Sequence, residues 1–147
     1  MRTITVREVT EALDQLVIER GPGYVYPDAG NGDNCFYSFE DGTPGCVVGA
    51  VLAKVAPEAF EELVVREAPQ DDGNGAVYRP SAGNVAKVVK GAEWPHQPTE
   101  QLEPYWLVQA ESPALGAALR DLQTAQDCGD TWEVAREAFV RRLRQAA

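Results

Sequence analysis

A chain of 147 residues with 23 acidic and 13 basic side chains, net charge -10, is long enough to bury a real core. Its 44% hydrophobic content excludes wholesale disorder. The charge repels phosphate backbones, which disfavours direct nucleic-acid binding and leaves cationic proteins, metal ions or simple solubility as its use.

The pattern opens on a helix over Val6 to Glu19, in which Thr5 and Glu8 have the spacing of a capping box. Val6, Val9, Leu13, Leu16 and Val17 share one face, and Gly21-Pro22-Gly23 stops the helix. Tyr24-Val25-Tyr26 and Cys35 to Phe39 read as two short strands that pair as an antiparallel ribbon. An acidic turn-rich loop, Pro27 to Asn34, joins them.

Asp41-Gly42 signals a turn. Thr43 and Pro44 then start a helix, with Thr43 as cap. Cys46, Val47, Val48, Val51, Leu52 and Val55 cover nearly all its sides, which places it in the centre of the core. Gly49 would let a neighbour approach closely.

A third helix runs from Pro57 to about Glu67, followed by an acidic loop, Pro69 to Gly75. Ser81 is placed to cap a helix through Lys90, and Tyr105 to Val108 reads as a strand or extended segment. Ser112-Pro113 starts a helix whose stripe is Leu115, Ala118, Leu119, Leu122 and Ala125. Gly129 ends it, Asp130 with Glu133 caps the last helix, and Trp132, Ala135, Phe139 and Leu143 recur at helical spacing. The short link makes this pair an αα-hairpin.

Few residues carry chemistry. Cys46, near a helix start, is the best nucleophile candidate, because amide dipoles lower a thiol pKa. A thiol also needs a base, and His96, the one histidine, sits far away in Trp94-Pro95-His96. The expectation is a buried, inert Cys46. Cys35, Cys46, Cys128 and His96 lack the paired spacing of structural zinc. The loops at Asp28 to Asp33 and Asp71 to Gly75 fail the EF-hand pattern and read as turns. Glu61-Glu62 and Asp71-Asp72 read as solvated surface, and Trp94, Trp106 and Trp132 as core. Arg136, Arg141, Arg142 and Arg144 form a basic patch, read as a solvated helix face. No catalytic, cofactor-binding or metal residue is assigned, and no cofactor is expected.

Three cysteines, an odd number, do not make a secreted disulfide framework. Met1 to Glu8 carries no apolar signal segment, and no apolar run reaches membrane-span length. The expectation is a protein of a reducing cytoplasm, with no membrane partner.

Two stretches carry a resemblance. Asp41-Gly42-Thr43-Pro44-Gly45-Cys46-Val47-Val48-Gly49-Ala50-Val51-Leu52 and Gln126-Asp127-Cys128-Gly129-Asp130-Thr131-Trp132 resemble elements of a group of small uncharacterised proteins of actinobacteria and their phages. An N-terminal helix followed by Tyr24-Val25-Tyr26 also fits, so the resemblance covers the two ends of the chain well and Pro57 to Glu111 poorly. It implies a shared fold, a phage or actinobacterial origin and the host cell cytoplasm, and it brings no activity.

The sequence therefore predicts one α+β domain, 1–147: mostly helical, with a small antiparallel β-ribbon and a C-terminal αα-hairpin. The functional expectation is a non-catalytic phage-type accessory protein that binds another protein, a host factor or itself. One alternative is a small-molecule binder or enzyme using the Cys35–Cys46 region, helped by Asp41 and His96. The other is a structural virion component.

Overall fold

A computed structural model of the chain describes residues 1–27 and 35–146. The acidic loop over 28–34, with its turn and calcium readings, lies outside the described residues.

Strand β1 (Arg2–Ile4) leads directly into α1 (Val6–Arg20). The Thr5 hydroxyl accepts from the Glu8 amide at 3.1 Å, and the Glu8 carboxylate accepts from the Thr5 amide at 3.0 Å, so the capping box forms as read. Helices α2 (Val47–Val55) and α3 (Pro57–Arg66) follow. Two-residue strands β2 (Gln70–Asp71) and β3 (Val77–Tyr78) make an antiparallel hairpin. Strands β4 (Val89–Lys90) and β5 (Val108–Ala110) precede the long helices α4 (Pro113–Asp127) and α5 (Trp132–Gln145). The architecture is α+β, with the C-terminal αα-hairpin in place.

A parallel sheet ordered β1-β5-β4 lies at the centre. Val108 pairs with both Arg2 and Val89, joining the chain's start to its second half. Ile4, Val89 and Val108 are fully buried, while Thr3 and Lys90 are exposed and Gln109 is half-buried, so one face of the sheet packs on the core and the other meets solvent. Around them, Leu13, Leu52, Leu63, Leu115, Leu119, Leu122, Trp132 and Phe139 complete one core.

Several local expectations are corrected. Tyr24 to Tyr26 forms no strand, and Cys35 to Phe39 contributes only a bridge between Ser38 and Pro44. The antiparallel ribbon sits instead where an acidic loop was expected. There the Asp71 carboxylate accepts from the Gly73 amide, and Asp72 from Asn74 and Ala76, which closes the turn.

Thr43 does not cap α2. Its amide and hydroxyl are held by the Asp41 carboxylate, and Cys46 takes the cap position. Thr131, not Asp130, caps α5 through the Val134 amide. The helix expected over Ser81 to Lys90 is a short 3-10 turn, Val85–Lys87, capped by Asn84 and continuing into β4. The adjacent Val88 and Val89 suit an extended chain entering β4 better than a helix, because β-branched side chains lose rotamer freedom against a preceding helical turn.

Two glycines set the closest approaches. A Cβ on Gly49 would collide with the Tyr37 carbonyl, and one on Gly116 with the Gly91 carbonyl. Helix α2 therefore lies on the backbone of the 35–39 segment, and α4 on the chain leaving β4. Trp132, at the start of α5, is fully buried. Its ring meets Tyr24 edge-on at 4.7 Å, and its amide donates to the Tyr24 carbonyl at 2.9 Å.

Candidate functional site

Polar groups concentrate where the 35–39 segment, the start of α2 and the inner face of α4 meet. Helix α4 buries more than its leucine stripe: Arg120, Gln123 and Gln126 are buried beside it. Their spacing of three residues keeps them on one face.

Each glutamine replaces a missing backbone partner. Gln126 Oε1 accepts from the Val47 amide at 2.6 Å, one of the free donors at the α2 N-terminus. Its Nε2 donates to Asp127 at 3.0 Å. Gln123 Oε1 accepts from the Val85 amide at 2.7 Å, and its Nε2 donates to Cys35 Sγ and to the Tyr37 hydroxyl. The Tyr37 hydroxyl donates to the Gly83 carbonyl at 2.8 Å.

Glu67, just past α3, is wholly buried. Its carboxylate accepts from the Tyr37 amide (3.1 Å), the Ser38 amide (2.9 Å), the Ser38 hydroxyl (2.8 Å) and the Ala82 amide (3.3 Å). Arg79 closes the network, donating to the Ser38 carbonyl and hydroxyl while its guanidinium lies over the Phe36 ring at 4.4 Å. Four donors on one carboxylate meet the requirement that a buried charge be fully hydrogen-bonded.

Both candidate cysteines lie in this network. Cys46 is wholly buried and Cys35 nearly so, and the Cys35 thiol is close enough to act on the Cys46 pKa. The Cys46 sulfur accepts from the Gly49 amide at 3.4 Å. Helix amides favour a thiolate there, but burial and the adjacent Cys35 thiol outweigh them and push the Cys46 thiol well up. Burial likewise raises Tyr37, with Cys46 and Cys35 adding to it. Asp127 is raised by burial, against hydrogen bonds from Gln126 and Cys35 that lower it. The arrangement holds the protons of Cys46 and Tyr37 in place; it does not prepare a nucleophile.

The proposed helpers lie elsewhere. His96 is exposed on the loop after β4, with a positive φ of 68°, and no hydrogen bond links it to Cys46. Asp41 is exposed and engaged by Thr43, whose hydroxyl and then amide lower its pKa. Cys128 is exposed. Among the described residues, no group of three His, Cys, Asp or Glu side chains could hold a metal ion.

The tryptophans part company. Trp132 is core, and Trp106 is half-buried with its indole nitrogen donating to the Ala86 carbonyl at 2.9 Å. Trp94 is 49% exposed. In the basic patch, Arg136 pairs with Asp14 at 2.6 Å and Arg142 with Asp121 at 2.9 Å, while Arg141 and Arg144 border a shallow groove on α5.

Sequence reasoning missed Glu67, Arg79, Arg120 and Gln123. The one available signal was the polar run beside the α4 stripe at the same three-residue interval. No known protein family, curated protein or solved structure matches the chain. Among the described residues, no helix is long and apolar enough to cross a membrane.

Proposed function

We propose that the chain is a non-catalytic accessory protein of the phage type its sequence elements suggest, acting by binding a basic surface on another protein. The observation that carries this reading is the β2–β3 hairpin. Every residue from Ala68 to Tyr78 is exposed. Val77 is 72% and Tyr78 49% exposed, with Asp71 opposite Val77 on the paired strand and Asp72 in the adjoining turn. A lone two-stranded hairpin is marginally stable in water, and apolar side chains on it bury nothing until something covers them. Aspartates beside them favour a cationic partner, in keeping with a net charge of -10. The burial of Cys46 and the separation of His96 from it weigh against the enzymatic alternative.

The test uses wild-type protein and the Val77→Asp/Tyr78→Asp double variant as immobilised baits in actinobacterial lysate. Since both side chains are exposed, the variant should melt like wild type. The reading predicts a basic protein held by wild type, released by salt and not held by the variant. Identical recovery on both baits, or no protein on wild type, would contradict it.

A further inference from the structure

Where α4 faces the Asn84-Val85-Ala86 turn, the surface opens into a pocket of about 150 Å³. Its polar lining is Asn84, Trp94, Arg120, Gln123, Thr124 and Asp127. The volume matters, because a void of about 150 Å³ accommodates a molecule of roughly benzene size.

Arg120 is the unusual member. It is 9% exposed, yet it makes no salt bridge among the described residues. One terminal nitrogen donates to the Ala92 and Glu93 carbonyls at 3.1 and 2.9 Å, and the Trp94 ring covers one face of the guanidinium at 4.3 Å. Its Nε is buried without a partner among the described residues. A buried guanidinium with unused donors costs stability unless a ligand or an ion completes it.

Asp127 lies on the same face of α4, seven residues and two turns further along, about 10.5 Å of helical rise. Gln123 between them is locked: both its amide hydrogens and its oxygen are used within the protein. Asn84 spends its oxygen on the Ala86 amide, and among the described residues its amide nitrogen has no acceptor. The pocket thus offers donors at the Arg120 end and a carboxylate at the Asp127 end, on a rigid floor. Asp127 and the nearby Glu93 disfavour a plain anion, and Arg120 disfavours a plain cation.

We propose that this pocket binds a short zwitterion of the amino-acid class, its carboxylate on Arg120 and its ammonium on Asp127. A chain of a few methylenes between the two charges suits the volume, and with a hydrogen bond at each end it is of a length to reach between the two turns of α4 that carry Arg120 and Asp127. Trp94 covers the guanidinium from outside, so ligand and indole share one wall.

The experiment is an amide and indole NMR titration of the full chain with 4-aminobutanoate. Butanoate and butylammonium, each carrying one of the two charges, serve as controls. Two variants accompany wild type. Asp127→Asn removes the carboxylate charge, and Thr124→Phe fills the pocket from an exposed position and spares the core. The proposal predicts saturable shifts at Trp94, Arg120 and Asp127 with 4-aminobutanoate. It predicts affinity at least about tenfold weaker, about 1.4 kcal/mol, for either control ligand and for Asp127→Asn. Thr124→Phe should abolish the shifts while keeping the wild-type spectrum elsewhere. The proposal is overturned if folded wild type shows no saturable response, if butanoate or butylammonium matches the zwitterion, or if both variants respond as wild type does.

Discussion

Glu67 Oε1 accepts from both the amide and the hydroxyl of Ser38, at 2.9 and 2.8 Å, with every atom of the contact buried. This bond fixes the 35–39 segment against the end of α3, and the same segment forms the bed on which α2 lies. A charged acceptor makes stronger hydrogen bonds than a neutral one, and its removal leaves several buried donors unpaired at once.

Glu67→Ala should therefore cost about 3–5 kcal/mol, the range for breaking a buried charged network. Glu67→Gln keeps the shape but turns one acceptor into a donor facing amides, and should cost about 1.5–3 kcal/mol. Urea unfolding of the two variants checks this ordering. Equal, small effects would show that the network is dispensable.

Gly49→Ala should destabilise by about 3 kcal/mol or more, because the new methyl meets the Tyr37 carbonyl and neither backbone can yield cheaply. Gly23→Ala meets nothing within reach and should be close to neutral. Thermal melts of the pair separate close packing from a general glycine effect.

Trp132→Ala should cost about 3–5 kcal/mol, the range for deleting a buried large aromatic. Trp132→Phe should cost less, because the indole nitrogen is buried without a partner among the described residues and its loss removes an unsatisfied donor. If Trp132→Ala melted like wild type, Trp132 would not anchor the helical hairpin.

Stability should fall in alkali. Burial raises the pKa of Cys46 and of Tyr37 above their ordinary values. The unfolded chain then releases protons that the folded chain retains, so stability is intact below the unfolded pKa values. It declines from about pH 8.5 upward for the thiol and from about pH 10 for the phenol. Melting temperature followed from pH 7 to 11 should show this decline, and Tyr37→Phe should flatten its upper part. A flat wild-type profile would contradict the assignment.

How much of this was legible follows from what each signal depends on. The Thr5–Glu8 capping box and the α4 and α5 stripes were readable because helix caps and helical periodicity are local. The central sheet was not: β1, β4 and β5 have two or three residues each, and their partners lie far along the chain. A run that short carries no period. The choice of caps also turned on tertiary contacts. Asp41 holds Thr43 away from the α2 amides, and Gln126, 79 residues beyond Val47, supplies the acceptor there. Glu67 was read only as the end of its helix, because nothing local marks a carboxylate for burial. Arg120 and Gln123 were hidden in the same way, inside a helix whose apolar stripe explained it adequately.

The central claim is that the Cys35–Cys46 region holds the fold together and performs no thiol chemistry. Its most direct test is native-state alkylation at neutral pH, read residue by residue by mass spectrometry. The account predicts rapid labelling of exposed Cys128, with Cys35 and Cys46 protected until the protein unfolds, their rates tracking global stability. Labelling of Cys46 as fast as Cys128 in the folded protein would contradict it and return that thiol to candidacy as a nucleophile.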